Sequence, residues 1–175
     1  MNCQVKRGDI EKESTEVLVL GGYEDEQSLP KTMHGLNKRL GRELEELRKT
    51  GEFQGKNQQT VLLHTKRLAQ AKRILWIGLG KKKDMTLDRV RQAMGTASKK
   101  AKKTGSQTFS APLMGTEALH TSVADIAQAM IEGATLGNYQ FTQYRTTSDN
   151  QPKDLRTLTI LANSSGQIDS IKTGI

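Results

Sequence analysis

Three histidines, one cysteine and a few clusters of charge are the residues of this chain whose chemistry could be put to work. His34, His64 and His120 lie far apart, and none has a second His, Cys or carboxylate at the spacing that marks a zinc site. They read as surface or partly buried histidines. Cys3 stands at the start of an edge-like strand without a partner motif and reads as an inert thiol rather than a nucleophile. No Ser, His and Asp arrangement has the local context of a hydrolytic triad. Gly78-Leu79-Gly80 falls between a strand and a helix, where a dinucleotide-binding turn would lie, but Lys83 occupies the place of the third glycine. Nor does Lys81-Lys82-Lys83-Asp84 supply the Gly-Lys-Ser/Thr ending of a phosphate loop. An ordinary strand-to-helix turn accounts for it, and no catalytic, metal-binding or cofactor-binding residue is assigned.

The charge pattern points to a partner rather than a reaction. The formal net charge is +8, gathered at Lys66-Arg67, Lys72-Arg73, Lys81 to Lys83, and Lys99 to Lys103. If the first three meet at one end of a sheet they could contact phosphates by charge alone, with Lys81, Lys82 and Lys83 as the candidate polyanion contact. Aromatic residues do not interleave with them, as stacking on single strands would require. A solvated basic face is the plain alternative. Glu43, Glu45 and Glu46, set among Arg42, Arg48 and Lys49, predict a salt-bridged exposed helix surface.

The elements that would position these residues follow from hydrophobic periodicity. A short opening strand near Gln4 to Arg7 and a buried strand at Glu16 to Gly21 make two neighbouring strands at the start. Met33, Leu36, Leu40, Leu44 and Leu47 lie on one helical face, interrupted by Gly41, where a bend or break is expected. Thr60 to His64 and Arg73 to Ile77 form a hairpin or long turn, and Thr86 to Thr104 is a helix capped by Thr86 and stopped by Gly105. A strand at Thr108 to Leu113, a helix at Ser122 to Leu136, a polar loop at Thr146 to Asp154 and a strand at Thr157 to Leu161 complete the alternation. This order predicts an α/β domain with a mixed sheet covered by helices on its faces.

A chain of 175 residues suits one compact domain with its own core. Hydrophobic residues make up only 34%, so Leu, Ile, Val, Ala and Met must build that core. Apolar runs such as Val17 to Leu20 are far shorter than the roughly 20 residues that cross a bilayer, which predicts a soluble protein with no membrane partner. A lone cysteine and no signal-like leader predict a cytoplasmic setting.

The most specific stretch of the chain is Arg73-Ile74-Leu75-Trp76-Ile77-Gly78-Leu79-Gly80-Lys81, followed by Thr86-Leu87 and a helix with Arg91, Ala93, Gly95 and Ala97. Gly8-Asp9-Ile10, Gly51-Glu52-Phe53-Gln54-Gly55-Lys56, Glu132-Gly133, Tyr139, Phe141 and Tyr144-Arg145-Thr146 accompany it. Taken together and in this order, these stretches resemble the amino-terminal domain of the leucyl aminopeptidase family, the cytosol aminopeptidases or peptidase M17. The resemblance implies a macro-domain-like mixed sheet flanked by helices on both faces over residues 1–165, with residues 166–175 starting a linker helix. It further implies a separate catalytic domain as partner, in which two divalent metal ions, Zn or Mn, activate water against the peptide bond, and a homo-hexamer of the whole protein. This chain by itself would be a hydrolase's inactive part. True macro domains bind ADP-ribose and also carry Gly-Asp-Ile near the first strand, which makes Asp9 the residue to examine. Gly21-Gly22-Tyr23-Glu24-Asp25 in place of an Asn-rich stretch, and no later glycine-rich phosphate loop, argue against that ligand.

Overall fold

A computed structural model of the chain describes residues 1–139 and 154–172. Phe141, Tyr144-Arg145-Thr146 and nearly all of the polar loop at 146–154 lie outside the described residues. Six strands, β1 (Asn2–Arg7), β2 (Val17–Tyr23), β3 (Thr60–His64), β4 (Arg73–Gly80), β5 (Thr108–Pro112) and β6 (Thr157–Ala162), form one sheet in the order β1-β6-β5-β2-β4-β3. All neighbours are parallel except β3, which runs antiparallel to β4. Five α-helices cover it: α1 (Lys31–Arg39), α2 (Glu43–Lys49), α3 (Leu87–Lys103), α4 (Val123–Asn138) and α5 (Ser165–Lys172). The mixed α/β sandwich expected from the alternation is present.

The core lies on both sides of β2 and β4 because their side chains alternate and Val17 to Leu20 and Ile74 to Ile77 are all apolar. Val17, Val19, Leu75 and Ile77 face the layer of α3, α4 and α5, while Leu18, Leu20, Ile74 and Trp76 face α1 and α2. All eight are fully buried. Each buried side chain of this kind contributes about 1.5–3 kcal/mol relative to exposure, so this pair of strands anchors both layers. The two opening strands are not neighbours in the sheet: β6 and β5 intervene between β1 and β2. Both strands point the same way, and the short Gly8 to Glu16 connection holds no helix that could build a crossover between adjacent parallel strands. It instead runs along a face of the sheet from the carboxyl end of β1 to the amino end of β2, with Glu13 accepting the Ser110 hydroxyl of β5 at 2.7 Å.

Local signals set the helix ends. The Thr86 hydroxyl accepts the Arg89 N–H at 3.2 Å, and Ser122 does the same for Asp125 at 3.0 Å. The long amphipathic stretch divides into α1 and α2 at Gly41 (φ 66°) and Arg42 (φ 70°). The segment Ser165–Lys172 packs on the domain itself, with Ile171 fully buried in the same core as α3 and α4. No helix among the described residues is long and apolar enough to cross a membrane.

Two features of this packing can be measured. Helices α3 and α4 approach so closely that a Cβ on Gly133 would overlap the Arg91 carbonyl. Gly133→Ala is therefore expected to destabilise the fold by about 1–3 kcal/mol despite Ala's better helix propensity. Gly166 in α5 has open space around it, so Gly166→Ala should stabilise by up to about 1 kcal/mol; urea unfolding of both variants reads the opposite signs. Glu16, next to the start of β2, accepts the Gln107 N–H at 2.6 Å and the Thr108 N–H at 3.2 Å, and it pairs with Lys72 at 3.3 Å. The Gln107 hydrogen bond foremost holds its carboxyl below the usual value of 4.5. A depressed folded-state pKa adds stability above the unfolded value and loses it as pH falls through the folded value. Glu16→Gln should thus cost about 1 kcal/mol at pH 7, with the gap to the wild type closing as unfolding is measured at pH values progressively below 4.5.

Candidate functional site

The carboxyl ends of the parallel strands frame a cleft of about 680 Å³, the place where open α/β sheets generally receive ligands. Arg7 closes β1, Pro112 closes β5, and Asn163 follows β6. Tyr23 ends β2, Leu79 stands near the end of β4, and the first turn of α1 opens on the same space. The Gly8-Asp9-Ile10 segment lies along this rim. Asp9 is exposed, and its carboxylate accepts the Glu11 N–H at 2.9 Å.

One end of the cleft is a charged knot that the sequence did not disclose. Lys82 reaches from the turn after β4 to Glu26 at 2.9 Å and Glu117 at 3.4 Å, and its ammonium lies 5.1 Å from the centre of the Tyr23 ring. The hydrogen bond to Glu26 is the main reason its pKa is raised. Asp25 accepts the Lys82 backbone N–H. Tyr23 is only 5% exposed, and burial, followed by the charges of Glu117, Glu26 and Asp25, pushes its phenol far above its ordinary range. It is therefore a neutral donor. Its hydroxyl and one oxygen of Glu26 are buried without hydrogen-bond partners among the described residues.

Arg48 departs from the expected surface network. Arg42 and Lys49 do pair with Glu45, and Lys49 also with Glu46. Arg48 instead turns inward, donating to the Glu26 carbonyl at 2.6 Å and the Tyr23 carbonyl at 3.0 Å. Its guanidinium lies 5.3–5.4 Å from the ring centres of Trp76 and Phe53, themselves stacked at 3.8 Å. Periodicity marked the residue as one more helical charge; only the arrival of β4 and the Phe53 loop beside it makes it a clamp on the 23–26 segment.

The basic clusters do not meet at one end. β4 is eight residues long, about 26 Å, and Lys72-Arg73 begin it whereas Lys81 to Lys83 follow it. The amino-terminal pole of the sheet gathers Lys66, Arg67, Lys99, Lys100, Lys103 and Arg156, all exposed, because the β3–β4 turn, the end of α3 and the start of β6 converge there. Lys102 is withdrawn from that group; it is 6% exposed and paired with Asp154 at 2.5 Å. At the other pole Lys81 and Lys83 are exposed, and Lys82 is held in the acidic knot.

Gly78-Leu79-Gly80 is occupied by protein. Gly80 donates to the Gly55 carbonyl at 2.9 Å, Gly78 donates to Gln59 at 2.8 Å, and a Cβ on Gly78 would strike the Lys56 carbonyl. The glycines admit a neighbouring loop. His34 donates to the Leu29 carbonyl at 3.0 Å, while His64 and His120 are exposed on separate elements. Cys3 is half-buried, and that burial raises its thiol pKa. Among the described residues no group of three His, Cys, Asp or Glu could hold a metal ion. The two metal ions implied by the resemblance thus find no ligand set in them, and no chemical step is derived through such ions.

Comparison with known proteins places this geometry. The model of the cytosol aminopeptidase family, N-terminal domain, matches residues 19–148. A probable cytosol aminopeptidase of Alkaliphilus metalliredigens is 30% identical over 176 residues, which cover 100% of this chain and 35% of that protein. The chain spans about a third of the length of the curated relatives it matches. In fold it is similar to a tomato leucine aminopeptidase mutant, with a TM-score of 0.78 at 19% identity over 99% of this chain and 35% of that one. It is also similar to an Oceanobacillus iheyensis macrodomain with ADP, with a TM-score of 0.69 at 15% identity over 97% of this chain and 87% of that one. The two likenesses support the macro-like fold, and the match over most of the sequence supports more: this chain belongs to the cytosol aminopeptidase family, to which it contributes an amino-terminal domain.

Proposed function

We propose that the chain is the non-catalytic amino-terminal domain of a longer, cytoplasmic, metal-dependent leucyl aminopeptidase that releases amino-terminal residues from peptides. The observation carrying this reading is the alignment of the entire chain with about a third of a cytosol aminopeptidase. In this reading a carboxy-terminal domain holds two divalent metal ions, Zn or Mn, which activate water for attack on the peptide bond. The present domain is then that domain's partner, at the periphery of a homo-hexamer, serving assembly or access to the catalytic centre. The expected outcome is that the 175-residue chain, given Mn²⁺ or Zn²⁺, releases no 4-nitroaniline from leucine 4-nitroanilide above the blank. The gene product in its source cells should have an intact mass well over twice 19.4 kDa. Hydrolysis by the chain alone, or a native product ending at Ile175, overturns the reading.

The amino-terminal basic pole favours a second role as a polyanion contact, with Lys81 and Lys83 as the alternative location. Such binding rests on counterion release and weakens steeply with salt. Charge reversal at Lys66 and Arg67 is expected to lower affinity for duplex DNA and to reduce the log–log salt slope by about 2. The same effect from Lys81 and Lys83 instead would move the contact to the other pole, and no effect from either pair would leave a solvated surface. ADP-ribose binding rests on Asp9 and the cleft; calorimetry with that ligand giving no heat dismisses it.

A further inference from the structure

The sheet ends in two edge strands, β1 on one side and β3 on the other. An edge strand offers unpaired N–H and C=O groups to any chain that can pair with it, and folded domains usually blunt that row with charge, proline or a bulge. β1 is blunted: Lys6 and Arg7 are both exposed at its end. β3 is not. It reads Thr-Val-Leu-Leu-His, without a Lys, Arg, Asp, Glu or Pro, and its register with β4 runs unbroken from Thr60 opposite Ile77 to His64 opposite Arg73. Leu62, at its middle, is 39% exposed.

Which backbone groups face outward follows from the ladder. Residues of an antiparallel strand bond alternately to one side and to the other. Gly78 donates to the Gln59 carbonyl at one end of the pair, and Thr65 donates to the Lys72 carbonyl at the other. The odd-numbered residues Val61 and Leu63 therefore bond to β4, and the N–H and C=O groups of Thr60, Leu62 and His64 point away from it. Arg73, opposite His64, agrees, since its N–H donates to the Glu16 carbonyl on the β2 side. No strand lies beyond β3, and no backbone hydrogen bond among the described residues reaches those three residues from the outer side.

This row is complementary to itself. Two copies can lie edge to edge, antiparallel, about a two-fold axis normal to the sheet. The register that pairs every outward residue sets Leu62 opposite Leu62 of the second copy, and Thr60 opposite His64 at each end. Each such pair exchanges two hydrogen bonds. Val61 then lies opposite Leu63 of the second copy, on the face where both already meet the α1/α2 core. No charged side chain lies within the strand to oppose its counterpart, and the antiparallel arrangement keeps Lys66-Arg67, beyond one end of β3, at the far end from the same pair in the second copy.

We propose that the β3 edge is a self-association surface on which a second copy of this chain adds its own β3 antiparallel, joining two six-stranded sheets into one. The proposal rests on the geometry of this domain, and the aminopeptidase reading stands whichever way the test falls. A five-residue strand is a small interface beside the roughly 1,200–2,000 Å² of a stable dimer, so the association is weak and reversible.

Sedimentation equilibrium of the 175-residue chain is the test. The expected result is a mass that rises with concentration from 19.4 kDa toward twice that value, with a Kd below about 1 mM. Added salt should tighten the association, because the two copies carry the same net charge. Leu62→Lys should weaken it at least about tenfold, whereas Gln4→Lys, on the β1 edge, should leave it unchanged. In a Cys3→Ser background, dibromobimane should join Leu62→Cys to itself, because the two Cα atoms lie about 5.5 Å apart. Thr60→Cys should not be joined, its counterpart lying four residues away, about 14 Å along the edge. The mass is read on the unaltered chain, so the decisive result does not depend on a variant folding. A mass fixed at 19.4 kDa at about 1 mM chain overturns the proposal. So does association lost with Gln4→Lys but not with Leu62→Lys, or crosslinking at Thr60→Cys but not at Leu62→Cys. An edge reserved for a strand of a different protein gives the first of these results.

Discussion

The parallel pairing of β2 with β4, buried on both faces, is the constraint on which the rest of the structure depends. Neither strand has a solvent side. Val17 and Val19 require one helical layer while Leu18 and Leu20 require another, and the chain supplies α3, α4 and α5 for the first and α1 and α2 for the second. With both sheet faces sealed, the strand ends are left as the open surfaces. The domain therefore presents two chemically different poles. At the carboxyl pole the loops after β1, β2 and β5 enclose a cleft; at the amino pole the β3–β4 turn and the end of α3 expose lysines and arginines that have no ion pair among the described residues.

The second organising interaction is the clamp on residues 23–26. Arg48 is drawn off the charged surface of α2 because the stacked Phe53 and Trp76 rings offer their faces to a guanidinium, and because two carbonyls there accept its hydrogen bonds. Burial lowers its pKa somewhat, while Glu26 opposes that shift. By holding the Tyr23 and Glu26 backbones, the clamp places their side chains on the cleft. Core packing on one face of the sheet thus fixes polar groups at the sheet's end.

Membership in the cytosol aminopeptidase family sits well with a domain whose sequence carries no reactive constellation. The glycine motif at the end of β4, the feature closest to a nucleotide signature, is filled by the 55–59 loop. The charge excess is also redistributed by folding. Lys102 and Lys72 are spent on Asp154 and Glu16, and Lys82 on Glu26 and Glu117, so the formal excess is expressed mainly at the amino pole.

Period and punctuation were legible without coordinates wherever a segment's own residues decide its conformation. The apolar spacing of Val90, Met94, Ala97 and Ala101 specifies α3 and its buried face, the Thr86 and Ser122 hydroxyls specify helix starts, and Gly41 specifies a break. The strand order was not legible. A sheet's order depends on which crossover buries which face, and nothing in Gly8 to Glu16 announces that β6, from the far end of the chain, will insert beside β1. The site was not legible for the same reason. Tyr23, Glu26, Lys82 and Glu117 are unremarkable one at a time, and their coupling comes from three separate loops meeting at the carboxyl end of the sheet. The sequence alone determined the elements and the family, because those depend on local chemistry. Tertiary structure decided which charges are paired, which are free and which polar groups are left buried, because those depend on distances across the fold.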